Sequence, residues 1–144
     1  MQADKIVTHI ANWLKEYCVT AKQNGYVIGI SGGIDSALTS VLCAQTGLDI
    51  LLVSLPLRQK KSELDRAHKH INFLTENFKN VRHIEIDLSA SFKQIEETLP
   101  KDTVEHKLAM ANTRSRLRMM TLYALGQASG LLVAGTGNKI EDFG

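Results

Sequence analysis

Between Gly29 and Ser36 the chain reads Gly29-Ile30-Ser31-Gly32-Gly33-Ile34-Asp35-Ser36, a set of residue types suited to a phosphate-rich ligand. Gly32 and Gly33 lack a Cβ and let the backbone approach a ligand closely. An apolar run, Tyr26 to Ile30, enters the stretch, and an apolar helical pattern from Ala37 to Ala44 leaves it, which predicts strand, tight loop and helix. The first N–H groups of such a helix have no intrahelical partner, and phosphate oxygens would satisfy them. Ser31 and Ser36 add hydroxyls. Asp35 adds a hard oxygen suited to the Mg²⁺ that accompanies a nucleoside triphosphate.

Other readings of these residues fit less well. A Walker A loop needs a Gly-Lys-Ser/Thr ending, and no lysine occurs between Gly29 and Gln45. The dinucleotide pattern G-x-G-x-x-G fails on spacing. Gly29-Ile30-Ser31-Gly32-Gly33 formally satisfies the serine elbow G-x-S-x-G, and Asp87 followed by His106 has the order its acid and base would require. His106, however, lies in a polar stretch with nothing that marks it as catalytic. A βα turn without a ligand has no use for two serines and an aspartate. As it stands, Ser31-Gly32-Gly33-x-Asp35-Ser36 resembles the pyrophosphate loop of the ATP pyrophosphatases, which cleave ATP between its α- and β-phosphates and adenylate a substrate. Amidotransferases, argininosuccinate synthetases and transfer-RNA-modifying enzymes share versions of that loop.

Three further stretches carry chemistry. Ser54-Leu55-Pro56-Leu57-Arg58-Gln59-Lys60-Lys61 follows an apolar run, Asp49 to Leu55, so Arg58, Gln59 and Lys60 are candidate contacts to adenine, ribose or phosphate, or simply a basic surface loop. Within Asn112-Thr113-Arg114-Ser115-Arg116-Leu117-Arg118-Met119-Met120, Arg114 and Arg118 share a helix face while Arg116 projects elsewhere. Guanidinium forks there would pair with phosphate or carboxylate, against a default of a solvated helix face. Gly135-Thr136-Gly137-Asn138-Lys139-Ile140-Glu141 follows a third apolar run, Leu131 to Ala134. On a parallel sheet it would share the edge of the first loop, where Thr136 would reach a nucleotide and Glu141 would join Asp35 at a metal.

The elements that must position these stretches follow from periodicity. Ile6, Ile10, Trp13 or Leu14, Tyr17 and Ala21 trace a first helix ending before Gly25, and Leu64, Ala67, Ile71, Leu74 and Phe78 trace another opened by a Ser62/Asp65 capping box. Val81 to Leu88 alternates as a third strand, and Ser91 to Leu99 is a short helix closed at Pro100. From Thr103 to Ser129, the spacing of Val104, Leu108, Ala111, Ser115, Met119, Leu122 and Leu125 predicts one long helix or two in tandem, stopped by Gly130. Strands alternating with helices imply parallel right-handed crossovers, hence an α/β fold: an open doubly wound, mostly parallel Rossmann-like sheet with helices on both faces.

The 144 residues are one domain in size, and the 44% hydrophobic and 22% charged fractions are those of a globular protein. A net charge of +2 gives no nucleic-acid signature, and no apolar run is long enough to span a membrane. Cys18 and Cys43 lack metal-ligand spacing, and both fall at apolar-compatible helix positions, so buried free thiols in a cytoplasmic protein are expected. His68 and His70 point to different faces and are not a metal pair.

Taken together, the glycine loop, Leu55-Pro56-Leu57, Asn112-x-x-x-Arg116-x-Arg118-Met119 and Gly135-Thr136-Gly137-Asn138-Lys139-x-Glu141 resemble the ammonia-dependent NAD synthetase family across essentially the whole chain. The resemblance implies ATP-dependent amidation of deamido-NAD by ammonia through an adenylated intermediate, releasing AMP and pyrophosphate. It implies that Gly29 to Ser36 and Thr136 hold ATP, that Asp35 and Glu141 ligate Mg²⁺, that Arg116 binds deamido-NAD, and that the protein is a homodimer with the dinucleotide site near the subunit interface. No side-chain nucleophile is required. With about 28 residues before the loop, free ammonia is the expected nitrogen source. Residues 1–144 read as a single ATP-pyrophosphatase domain lacking the C-terminal part of the family fold, for which weak or absent turnover on its own is expected. Ser54 stands where the family has an arginine, which makes Arg58 a candidate substitute. The alternatives are another adenylating ATP pyrophosphatase, of the transfer-RNA thiolation or GMP-synthetase type, and a non-catalytic nucleotide-binding module.

Overall fold

The computed structural model describes residues 2–137. Its elements run α1 (Ala3–Thr20), β1 (Gly25–Gly29), α2 (Ile34–Ala44), β2 (Asp49–Ser54), α3 (Lys61–Asn77), β3 (Val81–Glu85), α4 (Ser89–Thr98), α5 (Lys101–Glu105), α6 (Lys107–Ser129) and β4 (Leu131–Val133). The strands form one parallel sheet in the order β3-β2-β1-β4. Gly25 pairs with Asp49 on one side and with Leu131 on the other, so β1 is central. The doubly wound architecture expected from the sequence is therefore present.

Burial on both sheet faces explains the continuous apolar strands. Successive residues of a strand point to opposite faces, and the core divides accordingly. Tyr26, Ile28, Ile50 and Leu52 pack with Cys18, Cys43, Ile71 and Leu74 beneath α1, α2 and α3. Val27, Leu51 and Val53 pack with Phe92, Met110 and Leu117 beneath α4 and α6. Cys18 and Cys43 are free and buried as expected, and burial pushes the Cys43 thiol up to about 12, which makes it inert. Among the described residues no helix is long and apolar enough to cross a membrane.

Several local expectations need correction. The helix after the glycine loop begins at Ile34 rather than Ala37, so Asp35 and Ser36 lie in its first turn. Helix α3 starts at Lys61 with Lys60 as its cap and no side-chain capping bond. Ser62 is thus already inside the helix, and the expected capping box does not form. Strand β3 ends at Glu85, because Ile86 and Leu88 turn to donate to the carbonyls of Ser54 and Pro56 before α4.

The two-in-tandem reading of the last helical stretch holds, with the break at His106. Its Nδ1 accepts from the Ala109 N–H at 3.2 Å and caps α6. Of the residues whose spacing traced this helix, Leu122 and Leu125 pack on the core and others do not. Met110, Leu117 and Gly126 are buried, whereas Leu108 is 66% and Met119 55% exposed. Helix α6 carries apolar residues on more than one side, so periodicity alone could not choose the buried one. Gly130 ends it with a left-handed φ of 68°.

Candidate functional site

Strand order reverses at β1: its crossover through α2 leads to β2, while β4 joins its other edge. Ligands of open α/β sheets bind outside the carboxyl ends of the strands at such a point. A cleft of about 580 Å³ opens there, lined by Gly29, Ile30 and Ser31 after β1, by Leu55, Gln59 and Glu63 after β2, and by Ala134 to Gly137 after β4. Ser115, Arg118, Met119, Leu122 and Tyr123 of α6 form its remaining wall. Gly29, Ile30 and Ser31 of the glycine loop thus share a cleft with Thr136, while Gly32, Gly33 and Ile34 line a second pocket with Ala37, Arg66, Lys69 and His70. Glu141, Asn138 and Lys139 lie outside the described residues.

The glycine loop is braced from within. Ser36, 2% exposed, accepts from the Ser31 N–H at 3.2 Å and donates to the Gly33 carbonyl at 3.2 Å. The Ser31 hydroxyl accepts from the Gly33 N–H at 3.2 Å and lies 3.1 Å from Ser36 Oγ. Ser36 therefore shapes the loop, while Ser31 is on the cleft wall. Gly33 begins α2 with no side-chain capping bond, the arrangement that favours an anion at the helix start. Gly32 has φ +91°, and a Cβ there would stand 2.3 Å from the Glu63 carbonyl oxygen. Only glycine lets the loop and the first turn of α3 approach this closely. Arg66 Nε donates to the Gly32 carbonyl at 3.2 Å from the same helix.

Asp35, half-buried in the first turn of α2, is the described residue able to offer a carboxylate to a metal from this loop. Among the described residues no group of three metal-ligating side chains exists. That donor set fits Mg²⁺ carried in on a triphosphate, which needs one or two carboxylates and completes its shell with phosphate and water.

The arginines separate. Arg118 donates from Nε to the Leu55 carbonyl at 3.4 Å and from Nη2 to the Leu57 carbonyl at 3.0 Å. Burial lowers its pKa from the ordinary value, the Arg114 charge adds to the lowering and Glu63 opposes it. Arg114 lies over the Phe92 ring, 5.6 Å from its centroid. Arg116 is exposed on α6 and outside the cleft lining. Arg58 pairs through both nitrogens of its fork with Glu96 and sits 5.1 Å from the Phe92 centroid, away from the cleft lining. The arginine absent at Ser54 is thus not replaced in the cleft by Arg58. Ser54 is buried and shares a 2.8 Å hydrogen bond with His83 Nε2. Asp87 and His106, the remaining partners of a serine elbow, are engaged with Ser89 and Ala109 as local caps. Glu63 and Tyr123 line the cleft without having been singled out in the sequence. The placement of Glu63 one turn after the β2 loop was the available signal.

Comparison with known proteins bears on the family and the fold. The NAD synthase family profile matches residues 6–143. The NH(3)-dependent NAD(+) synthetase of Malacoplasma penetrans is 38% identical over 137 residues, 95% of this chain and 53% of that protein. The enzyme of the same name from Mycoplasma genitalium is 36% identical over 95% of this chain and 54% of its own length. Among solved structures, NMN synthetase from Francisella tularensis superposes with TM-score 0.86 at 29% identity, covering 96% of this chain and 56% of that one. NH3-dependent NAD synthetase from Campylobacter jejuni also gives 0.86, at 26% identity, covering 100% of this chain and 62% of that one. The chain spans about half the length of the curated relatives it matches.

Proposed function

The chain belongs to the NAD synthase family, and on that premise we propose that it forms the ATP-binding part of an ammonia-dependent NAD synthetase, which amidates deamido-NAD with release of AMP and pyrophosphate. The observation that carries this reading is the cleft at the strand-order reversal, where the Ser31 side of the glycine loop, the β2 loop and Thr136 meet. The triphosphate lies along Gly29 to Ser36, with the N–H groups at the start of α2 facing it. Asp35, joined by Glu141, holds Mg²⁺, which when bound neutralises triphosphate charge. The nicotinate carboxylate attacks the α-phosphorus, pyrophosphate departs over the glycine loop, and ammonia then displaces AMP. Side chains act here by positioning and electrostatic stabilisation, with no covalent intermediate on the protein.

Arg116 is assigned to the dinucleotide, and its exposure supports a site shared with a second subunit. At about 100° per residue, Leu108, Arg116, Met119, Tyr123 and Met120 occupy roughly a third of the circumference of α6, all exposed. An arginine amid exposed apolar residues fits a homodimer interface that closes over the acceptor.

The test is release of AMP from ATP and Mg²⁺ in the presence of ammonium and deamido-NAD, assayed with the full-length gene product. AMP formation that depends on the acceptor is expected, and Asp35→Ala should reduce it by about a hundredfold or more, the scale of losing a charge-stabilising group. An unchanged rate removes Asp35 from the mechanism. Nicotinate mononucleotide belongs in the same assay, because the NMN synthetase structure matches as well as the NAD synthetase one. Preference for the mononucleotide would reassign the acceptor. ATP binding with no AMP release under either condition would make the protein a nucleotide-binding module.

A further inference from the structure

We infer that Arg118 is a positioning residue of the cleft: by holding the Leu55 and Leu57 carbonyls it fixes the β2–α3 loop and, through the backbone on either side of the Leu57 Cα, sets which end of the Gln59 amide faces the nucleotide. This rests on the reading of the cleft as an ATP site.

The relay is built from three bonds. Arg118 reaches from α6 to two carbonyls of the loop, at 3.4 Å (Leu55) and 3.0 Å (Leu57). Leu57 is 2% exposed and belongs to the core beneath α4 and α6, so its peptide cannot turn to water for replacement partners. On its other side the Leu57 N–H donates to Gln59 Oε1 at 2.7 Å. An N–H needs an acceptor, so this bond commits the oxygen of the amide to the loop. Gln59 lines the cleft, and its Nε2 makes no hydrogen bond within the described residues.

The result is a wall residue that offers N–H donors only. It would meet a ring nitrogen, a ribose oxygen or a phosphate oxygen, and would reject a donor at the same place. The planar fork of arginine suits the task, because it spans two carbonyls at once; a lysine ammonium on a flexible stem would hold one of them less rigidly. The Leu57 N–H belongs to the preceding peptide, whose Pro56 carbonyl accepts from the Leu88 N–H at 3.0 Å, so without Arg118 it is the Leu57–Arg58 peptide that loses its partner, Leu57 can rotate about its Cα, and the amide can turn its oxygen outward.

Two measurements test this. In the first, Mg²⁺–ATP binding to the full chain is followed by calorimetry for the wild type, Arg118→Met, Gln59→Ala and the double variant. Each single change should weaken binding about tenfold, the scale of one hydrogen bond, and the double variant should bind within about threefold of Gln59→Ala. Arg118→Lys should recover part of the loss and serves in place of Arg118→Met if that variant does not fold. Wild-type affinity in Arg118→Met, or a double variant weaker by the product of the two single losses, overturns the relay. In the second, ¹⁵N relaxation of the Gln59 side-chain amide needs no nucleotide. The amide should be ordered in the wild type and mobile in Arg118→Met or Arg118→Lys; equal order in all three overturns the inference. If the wild type shows no ATP binding, the functional reading fails and the relaxation experiment still decides the relay.

Discussion

His70 and His83 each share a hydrogen bond with a buried serine, Ser40 at 2.7 Å and Ser54 at 2.8 Å. Burial lowers both pKa values below the ordinary 6.5; a bond to the Ala37 backbone opposes the shift at His70, and the Glu85 charge opposes it at His83 while His68 adds to it. The unfolded chain therefore binds these protons more readily than the folded one. Stability contributed by the neutral rings is complete above the unfolded value near 6.5 and falls as pH drops from there toward the lower folded values. Urea midpoints should thus decrease between pH 7.5 and pH 5.5, by less in a His70→Gln/His83→Gln variant. A variant with the wild-type slope would show that other groups govern this window. At this scale the sequence was legible where neighbours are local: the glycine loop closes within eight residues. The fate of Arg58 was not, because Glu96 comes from another helix thirty-eight residues on.

The elements divide by how many surfaces they must satisfy. Strands β1 and β2 are covered on both faces, so unbroken apolar runs disclosed them; β1 is shifted by one residue at each end, and β2 starts at Asp49 as expected and ends one residue earlier. Helix α6 faces core, cleft and solvent at once, which spreads apolar residues around it and hides the buried side from periodicity. Its start was equally hidden, since a histidine that serves as a helix cap leaves no preferred-residue signal. His106→Ala removes the acceptor for the Ala109 N–H and should destabilise the fold by about 1 kcal/mol. Denaturant unfolding measures it, and no change would mean that water or backbone replaces the cap.

For the whole molecule, the two cores meet the sheet from opposite sides, and apolar residues stand exposed on α6 (Leu108, Met119, Met120, Tyr123) and on α1 (Ile6, Trp13, Tyr17). If the α6 face joins two subunits, Met120→Glu, at a position 64% exposed, should leave the monomer folded and shift sedimentation toward it. A variant that sediments as the wild type does places the interface elsewhere. If Arg116 serves the dinucleotide as proposed, acceptor-dependent AMP release should fall with the dimer, because the residue sits in the same stripe.

The order β3-β2-β1-β4 also bears on how the molecule reaches its native state. Strands β1, β2 and β3 follow one another through α2 and α3, so they can zip together over short chain separations. Strand β4 pairs with β1 only after the intervening hundred residues, and Asn24 binds the Ser129 and Gly130 carbonyls at that junction. Contacts across such a span are slow to form, because the entropy of closing the chain is lost before they reward it. The candidate cleft draws part of its wall from the loops after β1 and β4. The β1–β4 pairing must form before the loops after these strands can meet, and a nucleotide bound there, as proposed, would favour the paired form over the unpaired one.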